Sequence, residues 1–136
     1  MAPKMPTDLA LLNEIYERNY GKFIDFSDAQ KSRSSKIWLP IDIEDLARIF
    51  NLDSDIVFGR LYYHLNEKYS HQNSDGSKSE FFAIRVGSDH HCVNFPYLSS
   101  ILASLRDEHT KFLTATGIAG FSLVISILSI MIAVIA

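Results

Sequence analysis

The sequence predicts an α+β fold: a domain of three helices and a β-hairpin, then a C-terminal helix and one membrane-spanning helix. Two observations carry this. All 13 basic and 16 acidic residues lie at or before Lys111, and none falls between Phe112 and Ala136. Before residue 70 the apolar residues recur at helical spacing; after residue 80 they alternate as in strands. The expected division is a domain over 1–96, a juxtamembrane helix over 97–111 and a span over 112–136.

Thr7 is the expected N-cap of a first helix, with Leu9, Leu12, Ile15, Tyr16 and Tyr20 at helical spacing through about Asn19 and Gly21 as its end. Residues 25–36 are a polar loop. Ile37–Ile41 is a short apolar run, expected at a sheet edge because Pro40 cannot donate to a ladder. Asp42 caps a second helix carrying Leu46, Ala47, Ile49 and Phe50, and Asn51 tolerates the left-handed conformation that ends it. Asp53 or Ser54 caps a third helix reaching about Tyr69, with Phe58, Leu61, Tyr62, Leu65 and Tyr69 on one face. Residues 70–79 are a polar loop. Phe82, Ile84 and Val86 share one side of a strand, Gly87-Ser88-Asp89 is a turn, and Val93 and Phe95 continue the face on the return strand. Pro96 ends the hairpin. Leu98, Ile101, Leu102 and Leu105 begin a helix that runs into the span.

The uncharged segment would form a helix roughly 37 Å long, against a hydrocarbon core of about 30 Å. A domain of about 110 residues cannot enclose such a helix on all sides, so a span is expected rather than a core helix. Nothing N-terminal reads as a secretory signal, so the expected arrangement is a tail anchor. Arg106, His109 and Lys111 flank the span on the domain side, which places the domain in the cytoplasm, with a bacterial inner membrane as the expected setting. Within the span Ala115, Ala119, Ser122, Ser126, Ser129 and Ala133 are spaced 4-3-4-3-4. That is the seam of helices packed closely in lipid, so the bilayer and a homo-oligomer or a partner span are expected partners.

The element order, with Asp45-Leu46-Ala47, Asn51-Leu52, Val57 and Leu61 bracketing a tight turn, resembles a winged helix-turn-helix domain over roughly residues 7–96. The turn position usually held by Gly is Asn51. The resemblance implies a third helix that meets DNA, or a protein-interaction module on the same scaffold. Arg60, His64 and Lys68, spaced i, i+4, i+8 and continued by His71, are the candidate partner or nucleic-acid face. Against DNA stand the formal net charge of −3, Asp53 and Asp55 at the end that would read bases, and a hairpin offering only Arg85. DNA is therefore the disfavoured partner, and a cytoplasmic protein the expected one.

Asp89-His90-His91-Cys92 is similar to the four-residue signature of the protein S-acyltransferases. In that family the signature implies a cysteine-rich zinc domain between several spans. Here there is one cysteine and one span, so no acyltransferase activity is expected. A closed zinc site needs four ligands, and a regular hairpin places only His90 and Cys92 on one face. No phosphate loop, nucleophile elbow or carboxylate pair is present, so neither cofactor, metal nor catalytic residue is expected. The expected function is a non-enzymatic, membrane-anchored interaction module. A tethered transcription regulator and a small oligomerising membrane effector are the alternatives.

Overall fold

A computed structural model describes residues 2–135. The described fold is α+β, with four helices, a small sheet and one long apolar C-terminal helix. It divides into two compact units, the first ending at Leu102 and the second beginning at Ala103.

Helix α1 covers Asp8–Ile24, and the Thr7 hydroxyl accepts from the Ala10 amide as its N-cap. It runs past the expected end at Gly21 because tertiary partners hold the extra turn. The Asp25 amide donates to the Gly21 carbonyl, Phe23 stacks on Phe95 at 4.9 Å, and Arg33 Nη1 donates to the Lys22 carbonyl. Arg33 is itself buried. Its Nε and Nη2 donate to the carbonyls of Ser35 and Lys36, and its guanidinium lies 4.7 Å from the Phe26 ring. One side chain thus satisfies three carbonyls and orders the polar loop that joins α1 to the sheet.

Strand β1, Trp38–Pro40, is an edge of the three-stranded antiparallel sheet. Helix α2, Ile43–Phe50, starts at Asp42, which accepts from the Asp45 amide, and ends at Asn51 with φ 54°. Helix α3, Ser54–Gly59, is capped by Asp53. The helical run then widens into a π turn over Arg60–Leu65, where the Asn66 amide reaches the Leu61 carbonyl, and resumes as α4, Asn66–Tyr69. The wide turn keeps Leu61 and Leu65 fully buried but leaves Tyr62 exposed, off the apolar face the helical spacing assigned to it.

Residues 70–79 are not merely a loop. Strands β2, His71–Gln72, and β3, Lys78–Ser79, form a small hairpin closed by Asn73 and Asp75 side chains. Strands β4, Phe82–Val86, and β5, Asp89–Asn94, pair antiparallel, and the sheet order is β1-β5-β4. Phe81 and Phe82 are both buried, whereas Ile84 is 44% exposed instead of facing inward. The regular alternation breaks at His91, whose φ of 55° is left-handed and whose carbonyl turns to the Ile41 amide of the β1 side. The ladder has no Ile84–His91 pair between Ala83↔Cys92 and Arg85↔His90.

Helix α5, Phe95–Ile135, begins earlier than expected. Asn94 accepts from the Tyr97 amide, so Pro96 lies in the first turn, where its missing N–H costs nothing. Phe95, Leu98, Ile101 and Leu102 are buried with Leu11, Leu12, Ile15, Leu39, Leu61, Leu65 and Val93 in the core of the first unit.

Candidate interaction surfaces

Arg60, His64 and Lys68 stand one above another because they are spaced at i, i+4, i+8 along the helical run. The structure brings them together on a single carboxylate, Asp8, in the first turn of α1. Arg60 Nη2 donates to Asp8 Oδ1 at 2.8 Å, Lys68 Nζ to Oδ2 at 3.1 Å, and His64 Nε2 lies 3.3 Å from Oδ1. Arg60 also donates from Nη1 to the Pro6 carbonyl at 2.8 Å. The side chains of Asp8 and Arg60 are mostly covered, at 17% and 18% exposure, while those of His64 and Lys68 are half exposed. Burial alone would raise the Asp8 pKa, yet the hydrogen bonds from Lys68, Arg60 and His64 outweigh it and hold the carboxyl below its ordinary value. His71 does not join this cluster; its Nδ1 is 3.2 Å from the Tyr97 hydroxyl, which in turn donates to the Tyr69 carbonyl. Asp8 was legible in the sequence only as a first-turn acid suited to a helix N-terminus. Its partners lie more than fifty residues away and left no local signal.

Among the grooves on the same unit are two that combine apolar side chains with charged ones. One, of about 560 Å³, has Ile41, Ile43 and Phe58 for its apolar lining and Asp42, Glu44 and Asp55 for its polar one. Asp42 was read as a cap, which it is, and capping uses its carboxylate without neutralising it. The other, of about 540 Å³, lies between the π turn and β4 and carries Tyr62, Tyr63 and Ile84. Tyr63 is 74% exposed, the most open aromatic ring of this unit.

Cys92 is completely buried, and burial, with Asp89 adding to it, pushes its thiol up to about 11, so the thiolate is scarce at neutral pH. His90 is exposed and His91 half-buried, its ring against Phe58 and Phe82. Among the described residues no group of three or more His, Cys, Asp or Glu is placed to hold a metal ion.

In the second unit Ala115, Ala119, Ser122, Ser126, Ser129 and Ala133 are all exposed along α5. The hydroxyls of Ser126 and Ser129 donate back to the carbonyls of Ser122 and Ile125 at 2.9 and 3.0 Å. That satisfies them within their own helix and leaves the stripe smooth, a surface on which another backbone can approach closely. Among the described residues one helix is long and apolar enough to cross a membrane, and none of its apolar window is buried within the protein.

Comparison of the chain with protein-family models gives no match. Comparison with curated proteins gives none either. No solved structure matches the fold.

Proposed function

We propose that the chain is a non-enzymatic interaction module held on a membrane by α5, with its N-terminal domain binding a protein partner and its span self-associating in the bilayer. The observation that carries this reading is the commitment of Arg60, His64 and Lys68 to Asp8. Asp8 offsets part of the trio's charge, and what remains is too compact for the run of phosphate contacts that supplies most non-specific DNA affinity. We infer a winged-helix scaffold on two supports: the order of α1, β1, α2, the α3–α4 run and the β4–β5 hairpin, and the pairing of β1 with β5. The setting we assign is the cytoplasmic face of a bacterial inner membrane. Arg106, His109 and Lys111 lie on the domain side of the apolar segment, and the cysteine is a buried free thiol, as suits a reducing compartment. A tethered DNA regulator ranks lower for the charge reason given. A pore-forming effector ranks lower because the apolar segment holds no charge to line a channel.

The test is a fluorescence titration of the detergent-solubilised full chain with duplex DNA at about 150 mM salt. Nothing tighter than the micromolar non-specific range is expected. Sequence-specific nanomolar binding, lost on Arg60→Ala, would replace this reading with the tethered regulator.

A further inference from the structure

We infer that Arg60, His64 and Lys68 form a recognition site for an acidic segment of the protein partner, and that Asp8 occupies it from within as a competing carboxylate. The inference deepens the interaction-module reading and rests on it.

The charges do not balance. Arg60 and Lys68 are two permanent cations, His64 a third when protonated, and a single carboxylate faces them. The cations come from one helical run and the anion from a different element, so the pairing depends on tertiary structure and not on helix spacing. The open side of the cluster belongs to His64 and Lys68, whose side chains are 49% and 50% exposed, whereas Arg60 lies at the covered end. An arriving carboxylate therefore meets Lys68 and His64 first. It gains Arg60 only when the Asp8 side chain rotates away, a change that leaves the α1 backbone in place. Arg60 would keep its bond to the Pro6 carbonyl throughout and stay oriented.

The site suits a discrete acidic peptide better than a polyanion. It is a compact trio with Glu67 next to Lys68 in sequence and Asp53 and Asp55 at the start of the same helical run. A nucleic acid needs a stripe of cations several phosphates long. A peptide carrying one or two carboxylates needs only this cluster, with charge-assisted hydrogen bonds of the kind Asp8 already makes. The internal competitor lowers the apparent affinity by the fraction of time it is displaced, so its removal raises affinity by the inverse of that fraction.

The experiment uses the full chain in nonionic detergent and a capped tetra-aspartate peptide as probe. It follows the His64 ring resonances by NMR and the affinity by calorimetry. In the wild-type chain the His64 signals should shift on titration with weak affinity, and Lys68→Gln should suppress the shift. Asp8→Asn, checked for a native circular-dichroism spectrum, should bind the peptide at least roughly tenfold more tightly, corresponding to an Asp8-free fraction of about a tenth or less in the wild type. Unmoved His64 signals in the wild type would overturn the proposal without needing the variant. Equal affinity of wild type and a folded Asp8→Asn would overturn the competitor role of Asp8. A short DNA duplex titrated in parallel separates this from failure of the module reading: Asp8→Asn binding DNA more tightly than peptide, with steep salt dependence, would mark the trio as a phosphate site and sink both.

Discussion

At Asp8 one carboxylate meets three basic side chains, and their exposures rank the contributions. Lys68 and His64 are half in water, where an ion pair is worth about 0–1 kcal/mol. Arg60 is mostly covered, and a hydrogen bond to a charged group there contributes about 1.5–3 kcal/mol. Asp8→Asn is therefore expected to destabilise the domain by about 1.5–3 kcal/mol at neutral pH, most of it through Arg60. The folded-state pKa of Asp8 lies below its ordinary value of 3.8, so this contribution is present above that value and lost as pH falls through the lower one. The difference in thermal midpoint between wild type and Asp8→Asn should be present above about pH 5 and close in the range below about 4. A gap that persists undiminished in acid would mean the side chain acts through packing. Cys92 gives a second residue-scale expectation. With its thiol buried and its pKa raised to about 11, it should resist a water-soluble thiol reagent in the native chain and react at once in denaturant. Rapid labelling of the native chain would show an opening of β5 that the static packing does not contain.

At the level of elements, the β4–β5 turn leaves the least room of any glycine position. Gly87 has φ 60°, and a Cβ there would stand 2.5 Å from Ser34 Oγ and 2.9 Å from Ser34 Cβ. The same loop is tied to the turn by the Ser34 amide, which donates to Asp89 Oδ2 at 2.7 Å. Gly87→Ala thus meets both a left-handed backbone and a clash, and should lower stability by at least about 1–2 kcal/mol. The check is a urea melt beside Gly21→Ala, where an added Cβ meets nothing within 4 Å and helix propensity predicts a gain. Equal effects at the two glycines would refute the local argument. The same contrast explains what was legible in the sequence. Thr7, Asp42 and Asp53 as caps and Asn51 as the left-handed end could be read because a cap bonds within its own turn. The edge position of β1 was readable from Pro40. The last turn of α1 and the outward Ile84 were not, because they are decided outside their own element: by Phe95 and Arg33 for α1, and by the left-handed His91 on the facing strand for Ile84; the π turn left no local signal either. The hairpin over 71–79 was hidden by polarity, since its hydrogen bonds come from the Asn, Asp and Ser that usually mark a loop. Of the candidate face, the alignment of Arg60, His64 and Lys68 followed from spacing alone, and the carboxylate that fills it did not.

For the whole molecule the deciding fact is the partition between a first unit with its own core and a second whose described apolar side chains are exposed from Phe112 onward. Large side chains such as Phe121, Leu123 and Ile130 are more than 60% exposed, and the helix that carries them is long and apolar enough for a bilayer to cover them, as the proposed function requires. Inside lipid the large residues gain nothing further from one another. Association then depends on how closely two backbones can approach, which is where the stripe of Ala115, Ala119, Ser122, Ser126, Ser129 and Ala133 bears on function. Ser126 sits at the middle of its serine run with its hydroxyl already returned to the Ser122 carbonyl, so its contribution to a seam is smallness first and hydrogen bonding second. Ser126→Leu should therefore weaken self-association by about 1–2 kcal/mol, roughly a tenfold change in the dimer constant. Ile127→Leu, a large-for-large exchange off the stripe, should leave it unchanged. Energy transfer between labelled full-length chains in micelles measures both. Equal transfer for wild type, Ser126→Leu and Ile127→Leu would reduce the proposed span to a plain anchor, and any assembly of this protein would then have to be built by surfaces of the first unit.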